Sequence, residues 1–73
     1  MDCQKVGNLI YELRKEKNMT QKQVADLMNI SDKTISKWER GLGCPDISLL
    51  PELSQIFGVS IEGILAGELN INQ

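Results

Sequence analysis

Apolar positions along this chain fall at helical spacing. Between residues 5 and 17, Val6, Ile10 and Leu13 recur at i, i+4 and i+7, and Leu9 widens the stripe. Lys15 and Lys17 close the segment with positive charge at the negative end of the helix dipole, and Asn18 suits the left-handed residue that ends a helix. A second helix is predicted from Thr20. Gln23 stands three residues on, the T-x-x-Q spacing of a capping box, with Met19 and Val24 as its hydrophobic staple. Val24, Ala25 and Met28 share the inner face, and Asn29 ends the helix. Ser31 then caps a third helix, and Asp32 in its first turn favours the dipole. Ile35 and Trp38 lie three apart on the inner side, and Gly41 is the stop.

Helices two and three therefore meet through a turn of three or four residues, which is the physical form of a helix-turn-helix. Leu42 to Pro45 read as a loop. Asp46 or Ser48 caps a fourth helix. Ser48 is the preferred frame, because it sets Pro51 at the third helical position, where the missing amide hydrogen is no loss. Leu50, Leu53 and Phe57 recur at i, i+3 and i+7, and Gly58 stops that helix. Ser60 caps a fifth, in which Ile61, Ile64 and Leu65 close the core; Gly63 and Gly67 weaken it by up to ~1 kcal/mol each. The expectation is an all-α domain of five helices over residues 1–73, ordered from about 5 to 67, with 68–73 a loose tail. Its predicted core is Val6, Ile10, Leu13, Val24, Ala25, Met28, Ile30, Ile35, Trp38, Leu50, Leu53, Phe57 and Leu65. Leu9, Tyr11, Leu27 and Leu42 are expected to be partly exposed.

Composition excludes several functions. The 73 residues are 41% hydrophobic and 25% charged, a globular balance, and too short to enclose a large cofactor and keep a core. No apolar run approaches the ~18 residues of a membrane span, and Met1 to Lys5 lead into no signal-peptide stretch, so the expected location is the cytoplasm. Histidine is absent. Cys3 and Cys44 cannot supply a zinc ligand set alone, so no metal or cofactor is expected. In a reducing compartment both are expected to be free thiols, Cys3 on a frayed terminus and Cys44 in a loop. Without histidine or a glycine-rich phosphate loop, and with Glu12 and Glu16 read as solvated helix acids, no catalytic residues are assigned and the chain is not read as an enzyme.

Net charge is −2, but it is unevenly spread. All eight Lys and Arg lie in residues 1–45 against six acids; residues 46–73 carry four acids and no base. Fields are screened within about 8–10 Å, so a basic face can coexist with an acidic end. The third helix carries the clearest pattern. With Ile35 at zero and about 100° per residue, Trp38 falls near −60°, Ser36 near 100°, Arg40 near 140°, Lys33 near 160° and Lys37 near 200°. Its outward face is thus Lys33, Ser36, Lys37 and Arg40. That is either a solvated charged face or a DNA-reading one. The major groove is ~12 Å wide and admits a helix, and lysine there donates to guanine O6 and N7. Asp32 either accepts from cytosine N4 or only complements the dipole. Gln21 and Lys22, at the start of helix two, either meet a backbone phosphate or are plain exposed polar residues. Arg40 is a further phosphate candidate. Arg14 and Glu39, each at the edge of an apolar stripe, are candidates for a bidentate pair joining helices one and three.

The runs Leu13-Arg14-Lys15-Glu16-Lys17, Thr20-Gln21, Val24-Ala25, Ile30-Ser31, Ile35-Ser36-Lys37-Trp38-Glu39-Arg40-Gly41 and Pro45 resemble the Cro/CI-type (XRE-like) helix-turn-helix domain of phage and bacterial repressors. Leu49-Leu50-Pro51-Glu52-Leu53, Phe57-Gly58-Val59-Ser60 and Leu65 are similar to its last two helices. The resemblance implies a compact five-helix repressor-like domain that binds double-stranded operator DNA. It also implies a palindromic site and a homodimer on DNA. By position it implies base reading by Asp32, Lys33, Ser36 and Lys37, phosphate anchoring by Gln21, an Arg14–Glu39 ion pair, and caps at Thr20 and Ser31. Asp32 departs from the neutral residue many relatives carry there. A competing expectation is an antitoxin or accessory subunit of the same fold that grips another protein through Leu9, Tyr11 and Leu42.

Overall fold

In the computed structural model, residues 1–68 are described. The Asp2 carboxylate accepts hydrogen bonds from the amides of Gln4 and Lys5, 3.0 and 3.2 Å, and starts α1 (Cys3–Glu16). This start lies two residues before the apolar periodicity, so Cys3 belongs to the first helical turn and is not frayed. Asn18 leaves α1 in the left-handed conformation, φ 55°. Thr20 and Gln23 form the reciprocal capping box at the start of α2 (Gln21–Met28), and Asn29, φ 60°, ends it. Ser31 accepts from the Lys33 amide and caps α3 (Asp32–Glu39). Among the described residues no strand occurs.

The approach to the fourth helix differs from the sequence expectation. Asp46, not Ser48, is the cap, and it caps a 3-10 turn over Ile47–Leu49. That turn leads directly into α4 (Leu50–Phe57), which has no side-chain cap and carries Pro51 as its second residue. Proline is still free of penalty there, because the first turn has unpaired amides anyway. Gly58 ends α4 and Gly67 ends α5 (Ile61–Ala66), both left-handed. Gly67 thus terminates the last helix instead of weakening its interior. The tail expected at 68–73 lies, beyond Glu68, outside the described residues.

α1 packs against α3 and α5, α2 against α3, and α4 against α5. Their shared core holds Val6, Ile10, Leu13, Val24, Ala25, Met28, Ile35, Trp38, Leu50, Leu53 and Phe57, all buried. Ile30 is half-buried at its edge. Two assignments are corrected. Leu65 is 38% exposed and Ile64, at 1%, fills the place predicted for it. Leu9 is buried, so it belongs to the core and to no partner surface. Gly7 sits on the buried face of α1 where a side chain would run into the Trp38 carbonyl, so α1 and the end of α3 touch backbone to backbone.

The cysteines are also corrected. Cys3 and Cys44 form a disulfide, with Cα atoms 5.0 Å apart, well inside the range such a bridge spans. The early start of α1 and the left-handed turn at Gly41, φ 73° and packed against the Gln4 side chain, bring the loop back over the helix start. The bridge closes a separation of 41 residues, which by chain entropy stabilises the fold by about 4 kcal/mol.

Candidate nucleic-acid interface

α3 is oriented by burial on one side. Ile35 is wholly buried and Trp38 nearly so, while Lys33 and Lys37, one turn apart, are exposed on the opposite face. Ser36 is half-buried to one side of them, and Asp32 is exposed at the helix start. Arg40 is exposed at the C-cap and its Nε donates to the Ser36 carbonyl at 3.3 Å, so it lies back along the helix.

The helix is held in place by a polar network. Arg14 Nε and one terminal nitrogen donate to the two carboxylate oxygens of Glu39, at 2.7 and 3.0 Å. The other terminal nitrogen donates to the Met19 carbonyl at 2.8 Å. Both side chains are more than nine-tenths buried. The hydrogen bonds to Glu39 raise the Arg14 pKa above its ordinary value, against the opposing pull of burial. Gln21 joins this network, donating from Nε2 to Glu39 Oε1 at 3.0 Å. Arg14 and Glu39, expected as a pair, are thus joined by a third residue, Gln21, which the sequence offers as a phosphate anchor or a plain exposed polar residue.

Lys22 is exposed and lies 3.5 Å from Asp26 one turn along α2, an exposed pair of small energetic weight. Gln21, Lys22 and Asp32 all line one open depression of about 630 Å3, together with Lys15 and Thr20. The starts of α2 and α3 and the end of α1 therefore share a concave surface. Lys15 is the addition here. By sequence it served only to complement the α1 dipole. The available signal was its position next to Arg14, whose side chain reaches α3. Tyr11 is 44% exposed, with Arg14 and Lys15 within 5.4 and 5.9 Å of its ring centre, the range of a cation–π contact. Among the described residues no helix is long and apolar enough to cross a membrane.

Residues 10–64 match the family model described as Helix-turn-helix. The chain belongs to the helix-turn-helix family. Within it, the motifs around α2 and α3 are of the Cro/CI (XRE) type. The chain is 42% identical over 59 residues to the HTH-type transcriptional activator BcrR of Enterococcus faecalis, covering 81% of this chain and 29% of that protein. It is 36% identical over 63 residues to multiprotein-bridging factor 1 of Candida albicans, covering 86% of this chain and 42% of the relative. The chain thus spans less than half the length of either curated relative. The crystal structure of the clp gene regulator ClgR from C. glutamicum superposes with a TM-score of 0.78 at 22% identity, covering 92% of this chain and 87% of that one. That likeness is one of helix-turn-helix fold.

Proposed function

We propose that this helix-turn-helix domain binds double-stranded DNA in a sequence-specific way as a transcriptional regulator, with α3 in the major groove. The observation that carries this is the division of α3. Ile35 and Trp38 are buried, and Lys33 and Lys37 project together from the opposite face with no acid partner within ion-pair distance among the described residues. In the groove, Lys33 and Lys37 donate to guanine edges, Ser36 contacts a base edge beside them, and Asp32 accepts from cytosine N4. Gln21, Lys22, Lys15 and Arg40 flank this face and meet backbone phosphates, which fix register without reading sequence. Such work is binding, not catalysis, and it belongs in the cytoplasm.

Two copies on a palindromic site, related by a two-fold axis, set their α3 helices one helical turn apart, ~34–36 Å. A regulator of this kind represses by occupying a promoter. Selection of bound sequences from a random duplex pool tests the reading. Enrichment of one inverted repeat at that spacing supports it, and a pool that stays random at low salt rejects it.

A second reading, in which the same fold grips another protein, draws on the likeness to multiprotein-bridging factor 1 and on the exposed apolar side chains Leu27, Leu42 and Ile47. Purification with a stoichiometric non-self partner, together with a random pool, favours it.

A further inference from the structure

We infer that Cys3 and Cys44 form a reversible thiol–disulfide couple, through which small disulfides set how much of this domain is folded and able to hold DNA. The DNA half of this rests on the function proposed above; the couple itself does not. The fold alone brings the two residues together, joining the first residue of α1 to the loop behind α3 with Cα atoms 5.0 Å apart. Both are half-buried, which leaves them within reach of a small reagent. The loop they hold is the direct continuation of α3: Gly41 donates to the Trp38 carbonyl at 3.0 Å and Leu42 to that of Lys37 at 2.9 Å. Arg14 and Glu39 tie α3 to the C-terminal half of α1, and the disulfide ties the loop behind α3 to the N-terminal end of α1. In a reducing compartment, bridges of this kind are transient and sensory rather than permanent.

The chemistry balances with a low-molecular-weight disulfide as oxidant. One cysteine thiolate attacks a sulfur of that disulfide; a mixed disulfide forms and one small thiolate leaves. The second cysteine thiolate attacks the protein sulfur of the mixed disulfide, the Cys3–Cys44 bond forms, and the second small thiolate leaves. The two protein thiols lose two electrons and two protons, and the reagent is reduced to two thiols.

Because the cross-link restricts the unfolded chain, reduction lowers the melting temperature by roughly 15–30 °C in a domain of this size. Between the two melting temperatures apparent DNA affinity falls with the folded fraction. The test equilibrates the purified protein with oxidised or with reduced glutathione and reads free thiols, mass and thermal melting. Oxidation is expected to remove both free thiols within a monomer, with the mass of two hydrogens lost. Melting temperature rises, and added reductant reverses both changes. Cys3→Ser and Cys44→Ser each melt like the reduced parent in both buffers, because the remaining thiol goes no further than a mixed disulfide with glutathione. Bridging between chains, stable glutathione adducts, or equal melting of the two forms would overturn the inference. A redox-dependent melt in a protein that selects no DNA in either state sinks the DNA reading and leaves the couple standing.

Discussion

Gln21 Nε2 donates to Glu39 Oε1 at 3.0 Å, so the first residue of α2 is bound to the last residue of α3. Arg14 holds the same carboxylate from α1. Three helices thus converge on one buried acid, and the angle at which α3 leaves the core is set by that convergence.

Glu39→Ala strips Arg14 of its counter-charge inside the protein and leaves Gln21 without its acceptor. The expected loss is ~3–5 kcal/mol, the usual cost of an uncompensated buried charge, measured by urea unfolding. Arg14→Met combined with Glu39→Leu should lose clearly less than the two single changes added together. Strict additivity in that cycle would show that the pair is not coupled.

On the proposed function, Lys33 reads a base and Gln21 anchors a phosphate. Lys33→Ala is expected to relax preference at one base pair by ~1–3 kcal/mol, while Gln21→Ala weakens all sequences to a similar degree. Binding isotherms on the selected site and on single-base variants read both. Equal loss on every duplex for both variants would contradict the assigned roles.

Glycines 7 and 43 should respond oppositely to alanine. At Gly7 the new methyl runs into the Trp38 carbonyl and main chain, so Gly7→Ala is expected to cost at least ~1–3 kcal/mol, as overpacking does. At Gly43 a Cβ meets nothing within 4 Å, so Gly43→Ala is expected to be neutral or to stabilise by ~0.4–1 kcal/mol through the unfolded chain. Parallel thermal melts decide it.

Asp46 should report pH. Hydrogen bonds from the Ser48 hydroxyl and amide hold its pKa below the ordinary carboxylate value. A group depressed in the folded state stabilises fully above its unfolded pKa, and the contribution is lost as pH falls through the folded one. Ser48→Ala removes the hydroxyl but keeps the amide. It is expected to move the Asp46 midpoint upward, part of the way to the ordinary value, in a carboxyl-resolved NMR titration. An unmoved midpoint would rule out the hydroxyl as the cause.

Local chemistry was readable in the sequence, and geometry between distant segments was not. The capping box at Thr20 and Gln23, the caps at Asn29 and Ser31, and the inward face of α3 are each set by residues within a turn or two of one another. The last helix shows where that stops. α5 has six residues, and neighbours differ by about 100°, so periodicity alone could not choose between Ile64 and Leu65; packing against α1 and α4 did. The 3-10 turn before α4 was invisible because Asp46 and Ser48 are equally good caps by residue type. The disulfide was missed for a different reason: compartment chemistry argued for free thiols, and nothing local brings Cys3 and Cys44 together. Lys15 joined the candidate surface only because three helix ends build one depression.

The bare contact between Gly7 and the Trp38 carbonyl has a consequence for how such a domain changes over generations. Main chain resting on main chain keeps one separation whatever the neighbouring apolar residues become, so drift in the interior leaves the tilt of α3 where it was. The exposed positions 33 and 37 are thereby freed from the scaffold. If α3 reads DNA as proposed, new preferences come from exchanging those side chains, on a frame that need not be rebuilt each time.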